Sequence, residues 1–317
     1  MSKFFNKIKK ALFKSSVVDI LIQKSLIDNN KQIDDLLTIH RYEQLSLVSD
    51  RIGISDEQYG PHELIVSLTT FGNRINEVYL AIESLMQQTM KPNRIVIWLD
   101  ETEFSIDNIP LSLKKLIKRG LTVSFCENLR SYKKLVPALQ AFPNAAIITC
   151  DDDVIYKPDL IENLFRAYIN NSDAVIFGGG HEMKIENGML MTYNSWYNPH
   201  QVPLYSNPIL NFPAGVCGVL YPPQVLHPDV TKKELFLQLA PTADDVWFKA
   251  MSLLTNTPCM KAYTHDKLGN DFVELGTWTQ KTSALNTENV FNNKNDIQIK
   301  AVFDYYNLYE KIGCKKK

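Results

Sequence analysis

From residue 64 onward the chain alternates between two rhythms. Short, largely apolar runs stand at Leu64 to Leu68, Arg94 to Leu99, Leu121 to Cys126, Ala145 to Cys150 and Ala174 to Phe177. Between them, apolar residues return every three or four positions. Runs of that length read as buried strands, and the 3.6-residue repeat reads as helix. One helix carries Ile75, Val78, Tyr79, Ile82, Leu85 and Met86 on one face. A second is opened by Pro110 and closed by Gly120, the usual asymmetry of those two residues. A third, from about Ser131 to Ala141, holds Pro137 inside it and is expected to kink. A fourth follows Pro158 and carries Leu160, Ile161, Leu164, Phe165, Tyr168 and Ile169. Strand and helix in alternation predict an α/β fold, a mostly parallel sheet with helices on both faces.

The two ends differ from this middle. Residues 15–50 read as helical, and 51–62, with Gly53, Gly60 and Pro61, read as a linker. Residues 1–60 therefore form a helical extension before the sheet. After residue 180 the rhythm decays into loops rich in Asn, Pro and Tyr at 193–212, then a strand-like Gly215 to Tyr221. A helix from about Ala243 to Leu254 follows, and a last one carries Ile299, Val302, Phe303 and Tyr306.

Composition narrows the class. With 45% hydrophobic and 22% charged residues among 317, the chain is of the soluble globular type. A formal net charge of -1 argues against nucleic acid as a partner. Five scattered cysteines without a CxxC pair read as reduced thiols in a cytosolic setting. No apolar run approaches the ~20 residues of a membrane span, and Lys14 and Asp19 break any signal-peptide core. Residues 2–14 place Phe4, Phe5, Ile8, Ala11 and Leu12 at helical spacing among Lys3, Lys7, Lys9, Lys10 and Lys14. Two readings stand: a helix lying on the inner face of an anionic membrane, or one docked on the body of the protein.

The chemistry concentrates at residues 145–158. Ala145 to Cys150 runs straight into Asp151, Asp152 and Asp153, which places three carboxylates where open α/β sheets bind ligands. Adjacent acids repel one another and are costly to bury unpaired, so a positive partner is expected. A hard divalent cation, Mn²⁺ or Mg²⁺, suits oxygen ligands of this kind. The competing reading is an acidic turn in solvent. A second acidic pair, Asp244 and Asp245, opens a helix after Pro241 and Thr242. Helix capping by Thr242 or Asp244 would explain it. So would catalysis, because paired carboxylates in a cleft raise one pKa into a useful range. Arg74, which begins the first helix beside Thr69 and Thr70, and Lys134 can each be read as an ordinary exposed basic side chain, the reading preferred for Lys133. Trp247 and Trp278 suit either a ligand ring or the core.

Several segments together resemble bacterial family-two-like glycosyltransferases of surface-polysaccharide synthesis, with the glycosyltransferase-A fold. They are Ser67-Leu-Thr-Thr-Phe71 with Arg74, Ser84-Leu-Met-Gln-Gln-Thr89 with Pro92, and Arg130-Ser-Tyr-Lys-Lys-Leu-Val-Pro-Ala-Leu139. Ile148-Thr-Cys-Asp-Asp-Asp-Val-Ile-Tyr156 and Thr242-Ala-Asp-Asp-Val-Trp-Phe248 complete the set, which spans about residues 62–310. Two departures are visible. Thr69-Thr70-Phe71 with Asn73 stands in the place of the family's Pro-(Thr/Ala)-Tyr-Asn loop, and Asp100-Glu101-Thr102 in the place of its Asp-Asp-Gly-Ser.

The resemblance implies transfer of a sugar from a nucleotide sugar, a UDP-sugar, to a hydroxyl of a glycan or lipid-linked acceptor, with inversion. It makes residues 61–180 the nucleotide-sugar-binding half and 181–317 the acceptor-binding half of one catalytic domain. Asp151 and Asp153 become the metal and ribose pair, with Asp153 the direct ligand and the late His265 a further one. Asp245, beside Asp244, becomes the general base. Thr69, Thr70, Arg74, Asp100, Lys134, Asp151 and Asp152 become donor contacts, and the triple glycine at 178–180 lets backbone approach the donor sugar. Two other functions remain in play. A sugar-phosphate nucleotidyltransferase shares the metal and the sheet but carries Gly-Thr-Arg after its first strand, where this chain has Thr-Thr-Phe-Gly-Asn-Arg. A non-catalytic membrane-associated scaffold would not need Asp151, Asp153 and Asp245 intact.

Overall fold

The first strand, β1 (Leu64–Thr69), is apolar on one side and carries Ile65, Ser67 and Thr69 on the other, buried but for the last. Leu64, Val66 and Leu68 join the core on one face, and Ile65 joins the core on the opposite face. A strand buried on both faces must be central, and this one is. In the computed structural model, which describes residues 26, 29–197, 205–266, 271–276 and 294–315, β1 lies between two parallel neighbours. They are β2 (Arg94–Asp100) and β4 (Ala146–Thr149). Outside β2 lies β3 (Leu121–Cys126), also parallel.

The chain thus moves outward from β1 to β3 and then returns to the other side of β1. That reversal opens a crevice between the carboxyl ends of β1 and β4, the place where such sheets hold ligands.

Helices cover both faces, as expected. One layer is α2 (Tyr79–Met86), α3 (Leu111–Ile117) and α5 (Leu160–Asn170), packed on Val66, Ile97 and Ile148. The opposite layer holds α4 (Val136–Ala141), α7 (Lys233–Leu239), α8 (Asp244–Leu254) and the helix Lys294–Tyr306. Before the sheet, α1 (residues 29–48) is docked by Tyr42, which packs with Leu80, Ile155 and Leu275.

Several local expectations give way to tertiary structure. Residues 51–59 are no loose linker: Gly53 N donates to Arg119 O, Ser55 N to Pro92 O, and the Asn93 amide to Ser55 O and Glu57 O. The kinked helix across Pro137 is two elements, a 3-10 turn Arg130–Lys134 and then α4 with the proline in its first turn. A proline there sacrifices no helical hydrogen bond. The chain before α2 is likewise a 3-10 turn, Gly72–Asn76.

Of Gly215 to Tyr221, only β11 (Val219–Tyr221) is strand, and it enters the sheet antiparallel between β4 and β6 (Val175–Phe177). Beyond β6 the edge is β12 (Cys259–Lys261), parallel to it. Both halves of the sequence therefore build one sheet. The small pairs are β5 (Val154–Tyr156) with β13 (Phe272–Glu274), β7 (Gly180–Glu182) with β10 (Asn211–Pro213), and β8 (Ile185–Glu186) with β9 (Met189–Leu190). Packing alone requires two of the three glycines. A Cβ on Gly178 or Gly180 would sit 2.2 Å from the carbonyl oxygen of Cys217 or Phe212. The amphipathic stretch 2–14, Trp278 and the last two residues of the basic tail lie outside the described residues.

One buried ion pair joins three of these elements. Arg119, after α3, donates to both oxygens of Glu83 in α2 at 2.6 and 2.9 Å, and its Nε donates to Arg51 O. Glu83 is completely buried. Glu83→Gln leaves the guanidinium buried without its counter-charge, which costs about 3–5 kcal/mol. Urea unfolding checks this: a loss under about 1 kcal/mol would mean that the pair is dispensable.

Candidate active site

Each acid at the end of β4 has its own environment. Asp151 Oδ1 accepts from Lys134 Nζ at 2.9 Å, while its amide donates to the Tyr156 hydroxyl at 2.8 Å. Asp152, read from sequence as a solvated neighbour or a donor contact, is 6% exposed. It accepts from Thr70 Oγ1 at 2.6 Å and from Arg74 at 2.7 Å. Arg74 reaches Asp153 as well, at 2.6 Å. Burial and the neighbouring acid Asp153 push Asp152 up to about 7 against the pull of Arg74, and Asp153 is raised by burial and by Asp151. The acidic turn is enclosed, not solvated.

Lys134 connects this turn to the second acidic pair. Its ammonium lies 2.9 Å from Asp151 Oδ1 and 2.9 Å from Asp244 Oδ2. The second contact has ion-pair distance but not hydrogen-bond geometry, so Asp244 Oδ2 is buried with no hydrogen-bond donor. Burial works against the lysine charge, but Asp151, Asp244 and Asp245 outweigh it and hold its pKa well above the usual value. The backbone is fixed too: Ser67 Oγ in β1 donates to Lys134 O at 2.6 Å, and Trp98 Nε1 donates to Ser67 Oγ at 3.0 Å.

Asp245 completes the group. Its Oδ2 accepts from Gly215 N at 3.0 Å. A side chain at 215 is excluded, since a Cβ there would lie 2.6 Å from Lys134 Nζ and 2.8 Å from Asp245 Oδ1. Burial and the adjacent Asp244 push Asp245 up to about 7, opposed by Lys134 and the Gly215 amide. The residue as a whole is only partly buried, but its carboxylate loses most of its hydration. Side-chain capping does not account for the pair: α8 has Ala243 at its N-cap and no cap bond from a side chain. Thr242 is engaged instead with Gln298.

The other sequence candidates have partners elsewhere. Thr69 Oγ1 donates to Trp98 O at 2.7 Å. Asp100, buried at the end of β2, accepts from Thr102 N and Thr102 Oγ1 at 2.9 and 2.7 Å. Burial alone would raise Asp100, but these bonds and nearby Lys133 bring it below the usual carboxylate range. His265 Nε2 lies 2.7 Å from Asp159 at the start of α5, with the imidazole half exposed. Trp247 is fully buried core, its Nε1 donating to Val230 O. Lys133 is the clearest miss: expected on the surface, it is 2% exposed, and burial lowers its pKa despite Asp100 nearby.

The metal expectation meets a different arrangement. The donor set, all carboxylate oxygen around Asp151 and Asp153, has the right chemistry for a hard cation. Yet Asp153 faces Arg74, Asp151 faces Lys134 and His265 faces Asp159. Among the described residues no three His, Cys, Asp or Glu are grouped to hold an ion. As placed, each of these side chains faces a charged protein group. A depression of about 430 Å³ lies along α5 between Asp159, Arg166 and Tyr263 and includes none of the acids of β4 or α8.

Lys134→Met should strand three acids around one lost cation and destabilise the protein by about 3–5 kcal/mol. The deficit should be larger at pH 8 than at pH 5, because protonation relieves the uncompensated carboxylates whose pKa values it raises. Denaturation at both pH values reads this, and a pH-independent deficit would show that packing, not charge, was lost.

Comparison with known proteins is sparse. No family model matches the sequence, and no curated protein matches it. Among solved structures the chain is similar to a mannosyltransferase from Pyrobaculum calidifontis, determined in complex with GDP-Man and Mn²⁺. The identity is 13% and the TM-score 0.42, with 72% of this chain and 61% of that chain covered.

Proposed function

We propose that the protein is a glycosyltransferase. It takes a sugar from a nucleotide sugar, a UDP-sugar in our reading, and passes it to a hydroxyl of a glycan or lipid-linked acceptor in surface-polysaccharide synthesis. The observation that carries this reading is the single ammonium of Lys134, placed between the strand-end acid Asp151 and the helix acids Asp244 and Asp245. It brings the donor end and the acceptor end of a transferase to one point at the switch of the sheet. The ordered motifs from Ser67 to Phe248 support the same class and its glycosyltransferase-A fold.

The chemistry follows from charge. When the bond between the anomeric carbon and the diphosphate breaks, negative charge develops on the leaving oxygens. Preorganised cations stabilise such charge best in a site that excludes water. Arg74 and Lys134 are the cations available at the crevice. On the other side, the acceptor hydroxyl gives its proton to Asp245 as its oxygen bonds to the anomeric carbon. A carboxylate pushed up to about 7 is well matched to accept a proton near neutral pH. One direct displacement assisted by one base inverts the anomeric centre. The setting we propose is the cytoplasm, at the inner face of the membrane. Among the described residues no helix is long and apolar enough to cross it, so contact would fall to the basic residues 2–14.

Asp245→Asn should retain binding of UDP-sugar by calorimetry while transfer falls about 10²–10⁴-fold, the range for loss of a general base. The amide oxygen of Asn can still accept from Gly215. In the parent enzyme the rate should rise with pH through a midpoint near 7, and this limb should vanish in the variant. Stability should move the opposite way. A raised carboxylate keeps its proton in the folded state after the unfolded chain has lost it, so the parent loses stability between about pH 4 and 7, and the Asn variant loses less because only Asp152 and Asp153 still contribute. Full activity in the variant would end the role of Asp245.

Removing residues 2–14 should shift the protein from the membrane to the soluble fraction with turnover of a soluble acceptor nearly unchanged. Each Lys near an anionic surface contributes about 1 kcal/mol. Unfolding on truncation would place that segment in the core instead.

A further inference from the structure

The helix α1 is covered on only one side. Tyr42, Ile39 and Leu45 face the body of the protein. At about 100° per residue, the opposite side gathers Ile33, Leu36, Leu37, Leu47 and Val48, which are 54–75% exposed. The arc they share contains no Asp, Glu, Lys or Arg. Only Asn29, Asn30, His40 and Gln44 interrupt it. Over its first half the helix has almost no contact with the body, since of residues 29–37 only Asp35 is not fully exposed. A helical segment that short is marginal in water without a packed face. An apolar stripe of this kind calls for a cover.

Charge decides which cover. Within residues 29–48 two basic side chains, Lys31 and Arg41, stand against three acidic ones, Asp34, Asp35 and Glu43. An anionic lipid surface attracts basic helices, so this stretch is poorly suited to it. Asp34 and Arg41 are seven residues apart and therefore share one edge of the stripe. Neither has an ion-pair partner among the described residues. In an antiparallel pairing of two copies, like edges meet. With the two-fold axis near Leu37, Asp34 of one copy comes level with Arg41 of the other, and the contact occurs twice.

We infer that α1 is a homodimer interface, in which the Ile33–Val48 stripe packs antiparallel on the same stripe of a second copy. The Asp34–Arg41 edge sets the direction and register. Two-fold contacts are self-complementary by construction, and opposite charges on the flanks of a helix pair select partner and orientation. A contact of one helix per copy lies at the small end of specific interfaces. The dimer should therefore dissociate on dilution. This inference does not depend on glycosyl transfer.

The test is sedimentation velocity on the full chain across a concentration series. The parent should show a monomer–dimer equilibrium, and Leu36→Glu with Leu37→Glu should leave only monomer with an unchanged thermal transition. Asp34→Arg or Arg41→Asp alone should weaken association about tenfold by setting like charges against each other. The double exchange D34R with R41D should restore it to within about twofold. Restoration is the decisive reading, since neither a lipid surface nor an unrelated protein would respond to exchange of the two charges. A parent that is monomeric at every concentration, or single exchanges without effect, overturns the proposal. So does loss of binding to phosphatidylserine vesicles in the Glu variants with no change in oligomeric state.

Discussion

The site depends on one cation held among acids. Lys134 is almost entirely buried, and its charge survives burial only because Asp151 and Asp244 each lie 2.9 Å away. The dependence runs in both directions. Without the ammonium, the carboxylates at the end of β4 and the start of α8 would repel each other, and burial would neutralise them. With it, two acidic segments 93 residues apart in sequence can occupy one low-dielectric cleft. The protein accepts a charged cluster that adds little net stability, and gains a fixed arrangement of acids and bases.

That arrangement is supported from beneath by the sheet. Ser67 holds the carbonyl of Lys134, and Trp98 holds Ser67, so β1 and β2 position the turn that carries the lysine. Tyr156, in the short β5, accepts the amide of Asp151, while Thr70 and Arg74 from the end of β1 take Asp152. The missing side chain of Gly215 lets the backbone amide reach Asp245. Lys134, Asp151, Asp152 and Asp245 are thus each held by a second protein group. Such support keeps catalytic geometry within narrow limits.

Much of the architecture was legible from hydrophobic pattern alone. Short apolar runs read as strands and the 3.6-residue repeats between them as helices packed on that sheet, although β3 at the edge is only partly buried. Asp151 to Asp153 stood at a strand end because the apolar run stopped there. Local pattern also led astray where long-range contacts intervened. Residues 51–59 have linker composition but are tied down by Arg119 and Asn93, and Lys133 has the charge of a surface residue but lies under the β2–β3 edge. Pattern gave no sign that β11 would insert antiparallel between β4 and β6, since strand direction is set by the path of the connecting chain.

The sequence by itself determined the sheet, its helical layers, the two acidic segments and the lysine between them, because burial and periodicity act over neighbouring residues. Only the tertiary structure decided what each charge does. Arg74 lies against Asp152 and Asp153, His265 against Asp159, and Asp245 against the Gly215 amide. Coulomb energy depends on distances between residues far apart in the chain, and a linear pattern carries no such distances. For that reason composition and spacing could nominate the carboxylates, while their partners, protonation and enclosure came from the fold.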